Sequence, residues 1–295
     1  MIIKDLKIFL QNIRKKLSLM HTILKMCYDF DIIFIQELFW TTLWLVPSSK
    51  SKKEEELVGV LSYSNWMTFA RSSSVEDNHP YVVSYINIRL LPLHFSLYND
   101  IFNYRDISLI SFFNDNSLFY IINIYSDSLQ TALKYLKDTE VSINNILIIM
   151  GNFNIYDSLW DPIYPFHSSH SDILFIVTDA FDLDLSTPIN CVPTRYADNK
   201  HNLNLVIDLM FLRYGSEEFD NHHIYPDWQL ISDHTPLLVC IPIFKECFST
   251  KKWVLIQDSE KEKNFINSFI ASIYAIDTSD LHDGNSLENV IQTIA

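Results

Sequence analysis

Glycine is scarce in this sequence, with 4 residues in 295 against a usual share of about 7%. A glycine-rich phosphate loop is therefore excluded, and Gly151, which follows the apolar run Ile146 to Met150, stands out. Cysteine is equally sparse: Cys27, Cys191, Cys240 and Cys247 form no CxxC pair. Neither a zinc cluster nor a disulfide framework is suggested, and a reducing intracellular setting is expected. Basic residues are outnumbered, 22 Lys and Arg against 36 Asp and Glu, for a formal net charge of -14. Proteins that hold nucleic acid by charge alone are usually basic, so a phosphate-bearing substrate has to be met locally. A cation held on acidic side chains would do this, as would the cluster Lys4, Lys7, Arg14, Lys15, Lys16 and Lys25. A solvated helix face is the plainer account of most of those lysines. No apolar signal core is read at Met1 to Asp5, and the apolar stretch Asp31 to Val46 is broken by Gln36 and Glu37, so neither a secretion signal nor a membrane span is expected. No long repeat recurs, which argues against a solenoid or propeller.

What the sequence has in quantity is short apolar runs. Leu6 to Leu10, Ile32 to Ile35, Leu57 to Leu61, Val82 to Ile86, Ile107 to Phe113, Phe119 to Ile124, Ile146 to Met150, Val206 to Leu212 and Leu237 to Ile243 predict buried strands. Helical spacing falls on Leu17 to Tyr28, Leu129 to Leu136 and Ile173 to Phe181, the last with Ser171 or Asp172 placed to cap it. Continuous apolar strands mixed with helices predict an α/β fold in four layers: two packed mixed sheets flanked by helices. Ser51 to Glu56 and Ser72 to His79 read as exposed loops. The expected domain spans residues 1–246, and residues 247–295 read as a mostly helical or loose tail.

Polar residues stand where the strands end. Asn12 follows the first, Glu37 the second, Tyr125 ends Phe119 to Ile124, and Asn152 and Asn154 follow Ile146 to Met150. Asp208 lies within Val206 to Leu212, and Asp233-His234 precedes Leu237 to Ile243. Strand ends on one edge of a layered α/β fold commonly assemble a site from distant parts of the chain. Carboxylates, amides and an imidazole gathered there suit a hard cation and a phosphate. Taken singly, each asparagine also suits a turn, and Glu37 and His234 also suit a surface loop. Asp208 is different, because a carboxylate between Ile207 and Leu209 is expected to be buried and to need a partner or a metal.

The ordered series Ile35-Gln36-Glu37, Asn123-Ile124-Tyr125, Gly151-Asn152-Phe153-Asn154, Ile207-Asp208-Leu209 and Ser232-Asp233-His234 resembles the signature of the endonuclease/exonuclease/phosphatase superfamily. Leu159-Trp160-Asp161-Pro162, Pro193-Thr194, Ile207 to Phe211 and Ser232 to Pro236 resemble its non-LTR retrotransposon branch, whose endonuclease domain nicks target DNA ahead of a reverse transcriptase. By that resemblance Glu37, Asn12 and Asp233 would hold Mg²⁺ or Mn²⁺. His234, paired with Asp208, would donate to the phosphate, with Tyr125 and Asn154 placing phosphate and nucleophile and Arg14 and Thr194 contacting substrate. The expected partner is DNA, with no membrane, and a reverse transcriptase domain in a longer parent protein. A nuclear location is expected if DNA is the substrate. Residues from Phe248 onward resemble the connector of those elements, so a piece of something longer is expected.

One position departs from the pattern. The superfamily carries Asp where this chain has Asn152, and an amide cannot accept a proton at neutral pH. The resemblance therefore implies a metal-dependent phosphodiesterase weakened at Asn152. An inactive remnant that still binds nucleic acid, or a phosphatase or phospholipid diesterase of the same superfamily, are the alternatives.

Overall fold

The computed structural model describes residues 5–47, 54–71, 79–98, 101–114, 117–139, 143–161, 163–187, 192–197, 203–213, 223–224 and 232–242. In chain order the elements are β1 (Asp5–Asn12), α1 (Leu17–Met26), β2 (Ile32–Gln36), β3 (Thr41–Pro47), β4 (Glu54–Gly59), β5 (Trp66–Phe69) and β6 (Val82–Asn87). A 3-10 helix (Ile88–Leu93) leads to β7 (Ser96–Leu97), β8 (Ile107–Asn114), β9 (Ser117–Tyr125), α2 (Thr131–Asp138), β10 (Ile146–Asn152) and α3 (Ser169–Ala180). The last strands are β11 (Leu183–Leu185), β12 (Asp208–Arg213), β13 (His223–Ile224) and β14 (Leu237–Pro242). The chain divides into two compact units, Met1–Phe248 and Ser249–Ala295. The tail expected at residues 247–295 lies outside the described residues.

Two six-stranded mixed sheets form the body, in the orders β13-β14-β1-β2-β6-β5 and β11-β12-β10-β9-β8-β7, with β3 and β4 paired separately. Alternation along each strand decides which side chain goes where. Ile8, Leu10, Ile32 and Phe34 of the first sheet meet Ile121, Ile148, Met150 and Met210 of the second in a shared core. Their odd-numbered neighbours Phe9, Ile33 and Ile35 pack the outer face against Leu19, Met20, Ile23 and Leu24 of α1. On the far side Ile122, Ile124, Ile149 and Phe211 pack against Leu133 and Leu136 of α2 and Leu174 and Val177 of α3. The result is helix, sheet, sheet, helix: the four-layered sandwich. Each fully buried Leu, Ile or Phe is worth about 1.5–3 kcal/mol, and both faces of β1, β2, β9 and β10 collect it.

Local corrections have physical reasons. Glu54 to Glu56 are strand, not loop, because they pair with Pro47 to Leu45 of β3, and backbone pairing outweighs the low strand preference of Glu. The strand expected at Leu57 to Leu61 is thereby shifted toward the N-terminus. The α3 cap is Ser168, extended at φ -104, whose Oγ accepts from His170 N–H at 3.2 Å. Ser171 is drawn instead to buried Asp157, donating its hydroxyl at 2.5 Å. Burial pushes the Asp157 carboxyl up, but bonds from Ser168, Ser171 and Leu159 and the charge of His167 hold it below the usual carboxylate range.

Gly151 lies on β10 opposite Ile124 of β9, between the two central strands of the second sheet. A Cβ built there would lie 1.9 Å from the backbone oxygen of Ile124, its register partner on β9. Ala in a strand normally gains about 0.5–1 kcal/mol over Gly. Here the reverse is expected: Gly151→Ala forces backbone apart and costs about 3 kcal/mol, lowering the melting temperature by about 6–12 °C. A thermal melt by circular dichroism checks this, and an unchanged or raised midpoint would contradict it.

Candidate active site

Register places the site before any side chain is considered. β1 and β2 run parallel with Asn12 opposite Gln36, and β9 and β10 run parallel with Tyr125 opposite Asn152. Asp208 opens the antiparallel β12 opposite Asn152, and Leu237 opens β14 opposite Leu10. The ends of β1, β2, β9 and β10 and the entries to β12 and β14 therefore share one edge of the sandwich, and every expected catalytic residue sits there.

On the first sheet, Asn12 Nδ2 donates to Glu37 Oε1 at 2.8 Å, and Asn12 Oδ1 accepts from Arg14 N–H at 3.0 Å. Glu37 has φ 46, a left-handed conformation that costs a non-glycine residue about 1–3 kcal/mol. It is held there from both sides: its N–H donates to Tyr81 O at 2.8 Å and its carbonyl accepts from Lys15 N–H at 2.6 Å. Ser232 Oγ donates to Asn12 O at 2.9 Å and accepts from His234 N–H at 3.1 Å, so the Asp233-His234 loop is tied to the end of β1.

His234 and Asp208 form the buried ion pair of the site. His234 Nδ1 and Asp208 Oδ2 are 2.8 Å apart, with side chains only 4% and 1% exposed. A carboxylate offers only lone pairs, so the proton is assigned to Nδ1 and the imidazole donates. Burial pulls the His234 pKa down, but the charge and hydrogen bond of Asp208, with Asp233 and Glu37 behind them, raise it above the ordinary value. Asp208 is itself seated by Thr194, whose Oγ1 accepts from the N–H groups of Ile207 and Asp208, both at 2.9 Å. Thr194 is fully buried, so the substrate contact expected of it gives way to a structural one: pinning the start of β12.

On the second sheet, Asn154 has φ 49, and its side chain donates to Ser126 O at 2.8 Å while its N–H donates to Asn152 Oδ1 at 3.0 Å. Tyr125 hydrogen-bonds both Glu37 and Asn154; burial first, then the Glu37 charge, pushes its phenol pKa up. Tyr81 stacks on Tyr125 with ring centroids 4.9 Å apart, and Lys15 and Arg105 lie over the Tyr81 ring. Arg14 Nη1 donates to Asp233 Oδ2 at 2.6 Å, and Arg195 Nε lies 3.9 Å from the same oxygen. Arg14 thus stands in the site, engaged with a carboxylate. Tyr81 and Arg195 were missed by sequence reasoning; Arg195 directly follows the Pro193-Thr194 motif, the one signal that could have found it.

The donor set for a metal is small. Among the described residues no three His, Cys, Asp or Glu side chains group so as to hold an ion by themselves. Glu37 and Asp233 are the available carboxylates, and Asp233 Oδ1 is buried without a hydrogen-bond partner. Mg²⁺ is commonly held by one or two carboxylates, with water and substrate phosphate completing the shell, so this pair fits such an ion. Asn12, with its amide nitrogen turned to Glu37, supports that carboxylate rather than facing an ion. Among the described residues no helix is long and apolar enough to cross a membrane.

The fold is shared with two endonucleases of known structure. It is similar to the endonuclease domain of TRAS1, a telomere-specific non-LTR retrotransposon, with a TM-score of 0.59 and 13% identity over 81% of this chain and 99% of that one. It is also similar to the AP endonuclease LMAP from Leishmania major, with a TM-score of 0.57 and 11% identity over 81% of this chain and 88% of that one. No family model matches the sequence, and no curated protein matches it.

Proposed function

We propose that this chain is a divalent-metal-dependent phosphodiesterase that nicks DNA, with turnover reduced by Asn152. The observation that carries the reading is the meeting of Glu37 and Asp233 with the buried Asp208–His234 pair at one strand edge. Two carboxylates without a third acid suit Mg²⁺ or Mn²⁺, which when bound would polarise a phosphate oxygen as a Lewis acid. His234, whose protonated form is favoured by Asp208, donates to a phosphate oxygen as negative charge develops on it. Tyr125, whose raised pKa keeps its phenol protonated, is a second donor. Asn154 orients the phosphate or the incoming water. Asn152 holds the Asn154 turn through its Oδ1 but has no basic lone pair for the water's proton.

The similarity in fold to two endonucleases supports DNA as the substrate. Arg14, Lys15, Arg105 and Arg195 supply local positive charge around the edge of a chain whose net charge is -14. A reverse transcriptase domain beyond this chain belongs to the same reading, as does a nuclear location.

Supercoiled plasmid tests it. Slow conversion to open circles in Mg²⁺ or Mn²⁺ is expected, abolished by EDTA and by Glu37→Ala. Absence of nicks from both the native protein and its Asn152→Asp variant would end the nuclease reading. Phosphate release from inositol phosphates without nicking would move the chain to the phosphatase branch.

A further inference from the structure

We infer that Gln36 is a positioning residue that clamps the two halves of the catalytic edge in register, an inference that rests on the phosphodiesterase reading. Gln36 is the last residue of β2 in the first sheet and is fully buried, yet its amide is spent on the second sheet. Oε1 accepts from Asn152 N–H at 2.9 Å, while Nε2 donates to Ile124 O at 2.5 Å and to Asn123 Oδ1 at 3.2 Å. Asn123 Nδ2 then donates to Val83 O at 3.1 Å on β6, returning to the first sheet. A closed circuit of hydrogen bonds thus crosses the core twice at the site's edge.

Beyond the His234–Asp208 pair and a Ser84 Oγ–Ser108 Oγ hydrogen bond of 3.2 Å, the contact between the sheets here is apolar, and apolar packing is not directional. Side chains in such a core can slide by fractions of an ångström at little cost, whereas hydrogen bonds specify distance and angle. The groups that have to cooperate lie on opposite sides of that gap. Glu37, one residue after Gln36, belongs to the first sheet, and Asn152, Asn154 and Tyr125 belong to the second. The chemistry required at position 36 is narrow: one acceptor for an N–H, a donor for two oxygens, and no charge. Met takes away the acceptor for Asn152 N–H and the donor for Ile124 O and Asn123 Oδ1. Glu can meet the pattern only when protonated, its carbonyl accepting from Asn152 and its hydroxyl donating to Ile124 O.

The test uses the Asn152→Asp protein as parent and adds Gln36→Met or Gln36→Glu. Gln36→Met is expected to lower kcat for plasmid nicking about 10- to 100-fold, the usual cost of removing a supporting partner, with KM within about twofold of the parent. The rate of Gln36→Glu relative to the parent is expected to rise as pH falls through the titration of the new carboxyl, while the relative rate of Gln36→Met stays flat. Amide hydrogen exchange, read with Gln36→Met in the native protein that keeps Asn152, reports the clamp without activity: at Asn152 it should quicken at least tenfold while Ile149 and Met150 keep their protection. A purely structural role would lower the melting temperature of both variants and loosen the three amides together, without the pH-dependent rescue. Unchanged kcat in folded Gln36→Met, or a pH-independent Gln36→Glu ratio, overturns the inference. If the parent makes no nicks, the phosphodiesterase reading falls, and the exchange at Asn152 decides the clamp by itself.

Discussion

Asn152→Asp is expected to raise the rate of metal-dependent nicking by about 10²- to 10⁴-fold, the usual contribution of a positioned general base. The exchange is nearly isosteric, and the turn it belongs to survives it. Asn152 Oδ1 accepts from Asn154 N–H at 3.0 Å, a bond that a carboxylate oxygen makes equally well. The backbone N–H remains on Gln36. Activity and stability should move in opposite directions, because residue 152 is 1% exposed and faces Asp208 across the β10–β12 register. A second buried carboxylate there is disfavoured by desolvation and by like charge, offset in part by protonated His234. The variant should therefore melt below the native protein while cutting faster, a familiar exchange of stability for function. Plasmid nicking and thermal melts on the same preparations check both halves. A variant that folds and cuts no faster than the native protein would remove Asn152 as the cause of weak turnover.

His234→Ala should produce the largest loss of stability. The mutation leaves the Asp208 carboxylate 1% exposed with nothing opposite it, and Asp208 Oδ1 already lacks a partner. Breaking a buried pair by removing one member costs about 3–5 kcal/mol, which corresponds to a fall of about 6–20 °C in melting temperature. Removing both charges with His234→Ala and Asp208→Ala should cost less than the sum of the single changes, since the stranded charge is gone. The pH dependence has a definite sign. The His234 pKa is raised in the folded state above its ordinary 6.5, so its stabilisation is fully present below the unfolded value and is lost as pH rises through the folded one. Melting temperature of the native protein should decline as pH rises through that window, and His234→Ala should be flatter there. A parallel decline in both proteins would show that the pair is not the origin.

Much of the architecture was legible because its signals are local. Ile32 to Ile35 and Ile146 to Met150 are apolar on both sides of the pleat, and such runs have nowhere to go but a doubly covered sheet. Short strands escaped for the converse reason: Ser96-Leu97 and Leu183 to Leu185 have too little pattern to read, and they exist only because β8 and β12 offer them an edge. Glu54 to Glu56 read as loop by composition and became strand by pairing. The site was legible in part. Asp208 between Ile207 and Leu209 announced a buried charge, and the structure supplies His234 as its partner. Thr194 was expected on the substrate and Arg195 was missed, because their roles depend on which backbone groups and carboxylates lie beside them after folding.

By itself the sequence determined which segments are strands buried on both faces, that polar residues follow them at their ends, and that position 152 carries an amide without a titratable proton. Those are properties of composition and of a two-residue period, which each segment carries wherever it is placed. Tertiary structure alone decided that Gln36 grips Asn152 across 116 residues of chain, that Thr194 turns inward, and that Arg14 closes on Asp233. A hydrogen bond needs its two partners within about 3 Å and properly aligned, and only the packing of one sheet on the other brings residues so far apart in sequence to that distance.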